Sequence, residues 1–103
     1  MHVSLTRVST EDQPIENATI VAQEMFRWFR ETEGFAGLVF LSREGTTLGL
    51  TFWEDRAVAE RHRVSRMQFR DRMTAAAGVR VEETVDYEVT FAKLGPLDTH
   101  PGQ

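Results

Sequence analysis

The segment that most constrains this chain spans residues 34–55 and reads GFAGLVFLSREGTTLGLTFWED. Two apolar runs, residues 35–41 and 48–53, flank a turn that contains Gly45, which readily adopts the positive φ of hairpin turns. The pattern predicts a β-hairpin. Both runs carry apolar side chains on both faces, and strands of that kind are normally covered on both sides. One layer of helices can cover one face, so something else must cover the other.

The composition limits the classes of protein to which the chain can belong. It has 103 residues, of which 41% are hydrophobic and 27% charged, as in an ordinary single globular domain. A net charge of −4 makes nucleic acid an unexpected partner. The absence of cysteine excludes disulfides and thiolate metal sites, and it agrees with a cytoplasmic location. Since no segment approaches the roughly 20 apolar residues of a membrane span, we expect no membrane association.

A strand and a helix are predicted before the hairpin. Residues 3–8 alternate in polarity, which favours a short strand. Residues 14–31 place apolar side chains three and four positions apart, as an amphipathic helix does, and Trp28 and Phe29 are expected in its core stripe. Asp12 is the expected N-cap and Gly34 the expected left-handed cap at the other end.

A second helix is predicted over residues 55–77, between an N-cap at Asp55 and a stop at Gly78. Its expected inward stripe is partly polar, and most of its arginines are expected on the solvated faces. The stripe consists of Val58, His62, Ser65, Phe69, Met73 and Ala76.

A long strand over residues 79–93 gives the clearest alternation in the chain. About 15 extended residues would span about 50 Å, which is longer than the hairpin strands that could pair with it. We therefore expect the strand to bend at a bulge or to pair with another chain. Glu83 interrupts its apolar side, so we expect it to pair with an arginine across a dimer, with Arg7 the first choice. Residues 95–103 are expected to form a tail beyond a single domain of residues 1–94.

The predicted order of elements is β-α-β-β-α-β, which indicates an α+β protein of the ferredoxin-like class. In that arrangement a four-stranded antiparallel sheet carries both helices on one face. The other face would then expose a broad apolar surface, since the hairpin is apolar on both sides. The simplest remedy is a homodimer in which the sheets of two copies pack against each other.

This order of elements, with EGFAG at the helix-to-strand corner and TFWED before the second helix, resembles the antibiotic biosynthesis monooxygenase family of dimeric α+β barrels. The resemblance covers roughly residues 3–94. It implies that two protomers pack face to face into a barrel and that the last strand reaches toward the partner.

The same resemblance implies a function. Members of known activity oxidise electron-rich aromatic molecules with O2 without a metal or flavin, or cleave haem. The expectation is a cofactor-independent monooxygenase that binds an aromatic or quinol-type molecule between helices and sheet. The alternative is a non-catalytic dimer of the same fold, which binds a small ligand or serves as an accessory protein. A cavity of at least about 300 Å³ would favour the enzyme, and a packed interior would favour the alternative.

His62 is the candidate catalytic residue, because a neutral imidazole on the inward stripe could accept a phenolic proton. The alternative is a half-buried structural histidine that bonds a carbonyl or water. His2 and His100 lie near the termini and are expected to be solvated.

Four further side chains are candidates for substrate binding. Trp53 could form an aromatic wall and Phe69 could line the pocket, although both could simply fill the core. Arg66 could stabilise an anionic intermediate, although an arginine on a solvated face is the commoner case. Tyr87 could donate a hydrogen bond to a ligand. No metal site and no cofactor is expected.

The haem-cleaving branch of the resemblance does not fit these residues. Counting from Trp53, its axial histidine would fall near Arg72, its tryptophan near His62 and its first-strand asparagine near Thr6. All three positions depart from that pattern, so haem cleavage is not expected.

Overall fold

The computed structural model describes residues 1–10 and 13–95, apart from the side chain of residue 15, so the expected cap at Asp12 and the tail from residue 96 onward lie outside it. These described residues form four strands and three helices. None of these helices is long and apolar enough to cross a membrane. In chain order the elements are β1 (His2–Ser9), α1 (Ile15–Phe29), β2 (Phe35–Arg43), β3 (Thr46–Trp53), α2 (Arg56–Arg61), α3 (Arg63–Ala77) and β4 (Arg80–Glu88).

The strands form one antiparallel sheet in the order β2-β3-β1-β4. β1 lies between β3 and β4, and its residues Ser4 and Leu5 pair with Thr51 and Leu50 of β3. The ferredoxin-like fold predicted from the order of elements is therefore confirmed. The observed β1 exceeds its predicted bounds by one residue at each end.

The hairpin of β2 and β3 turns through Glu44 and Gly45, as predicted, with φ of 79° at Gly45. Gly34, also at φ 79°, is not the cap of α1, because that helix has already ended at Arg30. It serves the corner into β2 instead. A Cβ at Gly34 would overlap the Val58 side chain, and the Gly34 carbonyl accepts a 2.8 Å hydrogen bond from the Glu54 amide. This corner therefore brings the start of α2 close to the end of α1.

The predicted second helix is two helices, which meet at His62 (φ −101°, ψ 10°). Asp55 caps the first of them as predicted, since its carboxylate accepts a 2.8 Å hydrogen bond from the Val58 amide. The inward stripe also differs from the prediction beyond the break. Phe69 and Met73 point inward, but Ser65 and Ala76 are exposed and the next residues, Arg66 and Ala77, are turned toward the sheet.

β4 is shorter than predicted and ends at Glu88. The expected bulge is present: Arg7 pairs with Glu83 and Val8 with Val81, which leaves Glu82 as the extra residue. The expected ion pair of Glu83 forms, but within one chain, where Arg7 Nη2 lies 3.3 Å from Glu83 Oε2. The prediction that this pair crosses a dimer is therefore wrong, because both partners belong to the same chain.

The hydrophobic core lies at one end of the helix–sheet space. Trp53 is fully buried at its centre, with the Phe29 ring against it edge to face at 5.7 Å between centroids. Val58 of α2 and Phe69 of α3 complete the core. Trp28, expected in the core, is instead 41% exposed and stacks over Phe69 on the outer side of the helices.

The two faces of the sheet differ in polarity. Toward α1 and α3 the strands present mostly small or polar side chains. The opposite face carries no described helix and is mostly apolar, apart from Arg7 and Glu83. In register order across the sheet its apolar side chains are Val39, Leu41, Leu48, Leu50, Phe52, Val3, Leu5, Val85 and Tyr87.

Candidate functional site

A cavity of about 100 Å³ lies between the sheet and the two long helices. Ser4, Thr6 and Thr51 form part of its sheet side, and Gly49 leaves room there because it has no side chain. From the helices, α1 and α3 contribute apolar side chains that include Met25, Met67 and Met73. The space is thus a mainly apolar chamber with hydroxyl groups on one wall.

Arg66 is the charged group buried in the wall of this cavity, with only 5% of its surface exposed. Its Nη2 donates a 2.9 Å hydrogen bond to the Ala59 carbonyl, and its guanidinium lies 5.1 Å from the centroid of the Trp53 ring. Its Nε is buried and has no hydrogen-bond partner among the described residues. Burial lowers the pKa of Arg66 from its ordinary value, although the carboxylate of Asp86 opposes that shift.

Asp86 is the carboxylate whose charge acts most strongly on this arginine. Its carboxylate lies 3.1 Å from His2 Nε2, and it accepts a hydrogen bond from Ser4, the residue that faces it on β1. Burial alone would raise the pKa of Asp86, but the hydrogen bonds from His2 and Ser4 and the charge of Arg66 together lower it. His2 is 7% exposed, so the prediction that it is solvated is wrong. His100 lies outside the described residues.

His62 does not line the cavity. Its ring stacks on the Trp53 ring with 6.2 Å between centroids, and its Nε2 is buried without a hydrogen-bond partner among the described residues. Its carbonyl accepts a hydrogen bond from the Arg66 amide. The geometry places His62 behind the cavity wall and beside Arg66. Its predicted catalytic role stays a prediction.

The other three candidate residues also lie away from the cavity. Trp53 is one layer behind it and donates its indole N–H to Thr51 Oγ1, a cavity hydroxyl, at 3.2 Å. Phe69 packs in the core. Tyr87 is 54% exposed and contributes to an outer groove. Of the five predicted site residues, the cavity therefore receives Arg66 alone.

A second, open groove of about 650 Å³ lies along the outer edge of β4 and the start of α2 and α3. Its lining is polar and includes His2, Asp86 and Thr84. Met67 and Arg70 line both the groove and the cavity. These two residues form the partition between the two spaces.

The cavity's side chains define what it can do chemically. Its described lining includes two arginines but no carboxylate or imidazole. Such a site can favour an anion at a bound molecule, because a buried cation gains most from a nearby negative charge. It offers no side-chain base of its own among those residues, so a proton must leave through solvent or through hydroxyl groups.

Comparison with solved structures shows the fold. A Deinococcus radiodurans protein assigned by name to the antibiotic biosynthesis monooxygenases superimposes with a TM-score of 0.67 at 17% identity, over 91% of this chain and 97% of that one. SnoaB, a cofactor-independent oxygenase from Streptomyces nogalater, gives 0.61 at 16% identity, over 93% and 98%. The protein YJCS gives 0.54 at 13% identity, over 86% and 98%.

These identities are low, so they establish the shared fold alone. The chain has the fold of the antibiotic biosynthesis monooxygenases, and the resemblance read from its sequence is confirmed at that level. No protein-family model matches the chain, and no curated protein matches it.

Sequence reasoning missed three residues of this region. Asp86 and His2 meet only because β1 pairs with β4 in one register, and Met67 reaches the partition because α3 begins after a break at His62. Neither the register nor the break leaves a local pattern. For these three residues the sequence holds no signal. For the site as a whole it holds one, which is the spacing of four residues between His62 and Arg66 that puts both on one side of a helix.

Proposed function

We propose that this chain is a cofactor-independent oxygenase that oxidises a phenol- or quinol-type molecule with O2 in the helix–sheet cavity. One observation carries the proposal: a buried arginine lines an otherwise largely apolar cavity and keeps a donor nitrogen without a partner. A buried unpaired donor costs about 1–3 kcal/mol, which a ligand oxygen would recover. The fold shared with a solved cofactor-independent oxygenase supports the same function.

The reaction needs no external reductant. Beside the Arg66 cation the phenol would ionise more readily, and the phenolate, being electron-rich, would pass an electron to O2. After recombination, one C–H carbon of the ring becomes a carbonyl, one oxygen atom of O2 enters the product and the other leaves as water. For 1-naphthol the balance is one O2 consumed for each naphthoquinone and each water formed.

Each neighbouring residue has a defined part in this proposal. Arg66 holds the anionic oxygen. Thr51 already accepts a hydrogen bond from Trp53, so its own hydroxyl proton is free to be donated to the ligand. His62 acts through Arg66, four residues further along the chain, so it has a positioning role. His62→Ala should therefore reduce turnover less than the removal of Arg66 does.

The proposal includes a homodimer closed by the uncovered sheet face. That face presents apolar side chains on all four strands, with the Arg7–Glu83 ion pair among them. Contiguous exposed apolar surface of more than a few hundred Å² normally marks an interface. A second copy fits best, because a two-fold axis places the same apolar surface on both partners.

The alternative, a non-catalytic dimer of the same fold that serves as an accessory protein or binds a small ligand elsewhere, is favoured by the small size of the cavity. At about 100 Å³ it is smaller than ordinary ligand sites, which start near 300 Å³, and smaller than the roughly 150 Å³ that admits benzene. Three methionines in its wall can change rotamer at low cost, so the cavity can enlarge around a ligand. Catalysis therefore requires that a ring displaces these side chains.

Oxygen uptake with 1-naphthol, measured with an electrode, tests the proposal. We expect uptake matched by quinone formation without hydrogen peroxide, and a loss of at least about tenfold in Arg66→Met, equal to about 1.4 kcal/mol. Arg72→Met, the same change at an exposed position of the same helix, is the control and should keep full activity. Binding of 1-naphthol without any uptake would establish the alternative.

A further inference from the structure

The two residues that separate the cavity from the outer groove differ in how firmly they are held. Met67 and Arg70 face both spaces. Arg70 is tethered: its Nη1 donates a 2.7 Å hydrogen bond to Thr84 Oγ1, and its Nε and Nη2 donate to Asp71 Oδ1 at 3.1 and 2.9 Å. The Thr84 hydroxyl lies 3.4 Å from that of Thr6, a cavity residue. This chain of contacts ties α3 to β4 and β1.

Met67 has no comparable tether. A methionine side chain is unbranched, makes no strong hydrogen bond and fills gaps in several rotamers. Rotation of this one side chain would join the two spaces beside the fixed Arg70. Met67 is therefore the movable part of the partition.

The volumes require the second space if a typical ligand is to bind. The cavity of about 100 Å³ is too small by itself for an ordinary ligand, and the adjoining groove of about 650 Å³ is open and polar. Joined at Met67, they fall within the range of about 300–1,000 Å³ that is usual for small-molecule sites.

The groove's charges indicate which chemical group it suits. Its lining includes charged groups of both signs, so it favours neither a cation nor an anion. It does offer many donors and acceptors, which a neutral group rich in hydroxyls can satisfy together. The charged or titratable groups that face it are Asp55, Arg56, Glu60, Arg63, Arg70, Asp86, Glu88, Tyr87, His2 and the amino terminus of Met1.

We propose that cavity and groove form one two-part binding site with Met67 as its gate. The ligand is an aromatic phenol whose ring enters the cavity toward Arg66, and whose neutral, hydroxyl-rich substituent, such as a sugar, lies in the groove. The proposal rests on the proposed function only in its choice of a phenol ring. It adds the substrate class and the residue that sets access.

Equilibrium dialysis of the full chain with 1,5-dihydroxynaphthalene and its mono-β-D-glucoside tests this inference. The glucoside should bind at least about tenfold more tightly than the diol. Met67→Phe, which stiffens and fills the gate, should reduce that preference to about threefold or less. Met73→Phe is the matched control, because Met73 lines the cavity and not the groove, so it should weaken both ligands alike.

A second variant guards against effects on folding. Arg63 is exposed and lines only the groove, so Arg63→Gln should weaken the glucoside alone, with thermal unfolding unchanged. A glucoside that binds no better than the diol would overturn the two-part site, as would an unchanged preference in Met67→Phe. If the glucoside is preferred and Met67→Phe reduces that preference, but no O2 is consumed, the oxygenase proposal fails and the two-part site stands. If neither compound binds, both proposals fail.

Discussion

The two faces of the sheet bear opposite kinds of side chain. The face beneath the helices presents Ser4 and Thr6 of β1 and Gly49 and Thr51 of β3. The face without a described helix presents apolar residues such as Leu5 and Leu50. In a two-layer α+β domain the usual order is the reverse, since the covered face of the sheet carries the apolar core.

The difference assigns separate tasks to the two faces. Under the helices, the aromatic core is confined to one end, around Trp53 and Phe29, and the hydroxyl-lined remainder leaves a cavity beside Arg66. On the other face, the apolar surface has no described partner within the chain. We infer that the covered face serves ligand binding and that the uncovered face serves assembly.

The largest expected effect comes from a charge on the uncovered face. Leu50→Asp should weaken self-association at least about a thousandfold, or about 4 kcal/mol, because each copy would have to bury an unpaired carboxylate. Sedimentation velocity over a concentration series measures this effect. Val64→Asp, at an exposed position of α3, is the control and should leave association unchanged. If Leu50→Asp and Val64→Asp self-associate equally strongly, the uncovered face does not serve assembly.

The next effect concerns the charged cluster on the covered face. Asp86→Asn should lower the free energy of unfolding at pH 7 by about 2 kcal/mol, because Arg66 and His2 lose a charged partner. The pKa of Asp86 is lowered in the folded state, so its contribution is present above the unfolded value of about 3.9 and is lost as pH falls through the folded pKa. Urea unfolding at several pH values should show the difference from wild type shrinking below about pH 4. A difference that does not change with pH would contradict this role.

A smaller effect is expected where the hydroxyl wall meets the core. Thr51→Val keeps the shape of the side chain but removes the acceptor of the Trp53 indole N–H, so it should cost about 1 kcal/mol. The Trp53 indole resonance in a ¹H–¹⁵N spectrum should shift. Leu50→Val, on the other face, should leave the Trp53 indole resonance nearly unmoved. If Leu50→Val shifts this resonance as much as Thr51→Val does, the two faces of the sheet do not act separately.

The smallest effect on stability is expected at Arg66, the residue that we propose holds the ligand. Arg66→Met should change the free energy of unfolding by no more than about 1 kcal/mol in either direction, because removing the buried charge and its unpaired Nε offsets the lost hydrogen bond to the Ala59 carbonyl and the lost attraction to Asp86. Thermal unfolding measures the change in stability, and equilibrium dialysis with 1-naphthol measures the change in binding. A large loss of stability with unchanged binding would make Arg66 a structural residue.

Much of the fold could be predicted because its signals are local. The Glu44–Gly45 turn, the cap at Asp55 and the helix end at Gly78 each depend on one or two residues, and the structure confirms all three. The bulge predicted in the last strand is present, although β4 is shorter than the length from which it was predicted.

The site was less predictable because it depends on tertiary packing. A mixed stripe on a helix does not fix which residue points inward, so Arg66 occupies the place expected for Ser65. Arginine on a helix is normally solvated, and the Trp53 ring that lies beside Arg66 comes from a distant strand. The burial of His2 likewise depends on the pairing of the first and last strands.

Sedimentation equilibrium of the wild-type chain at micromolar concentration addresses the central claim most directly. We expect a single species of twice the chain mass. A stable species of one chain mass at the same concentrations would contradict the assignment of the uncovered sheet face to a dimer.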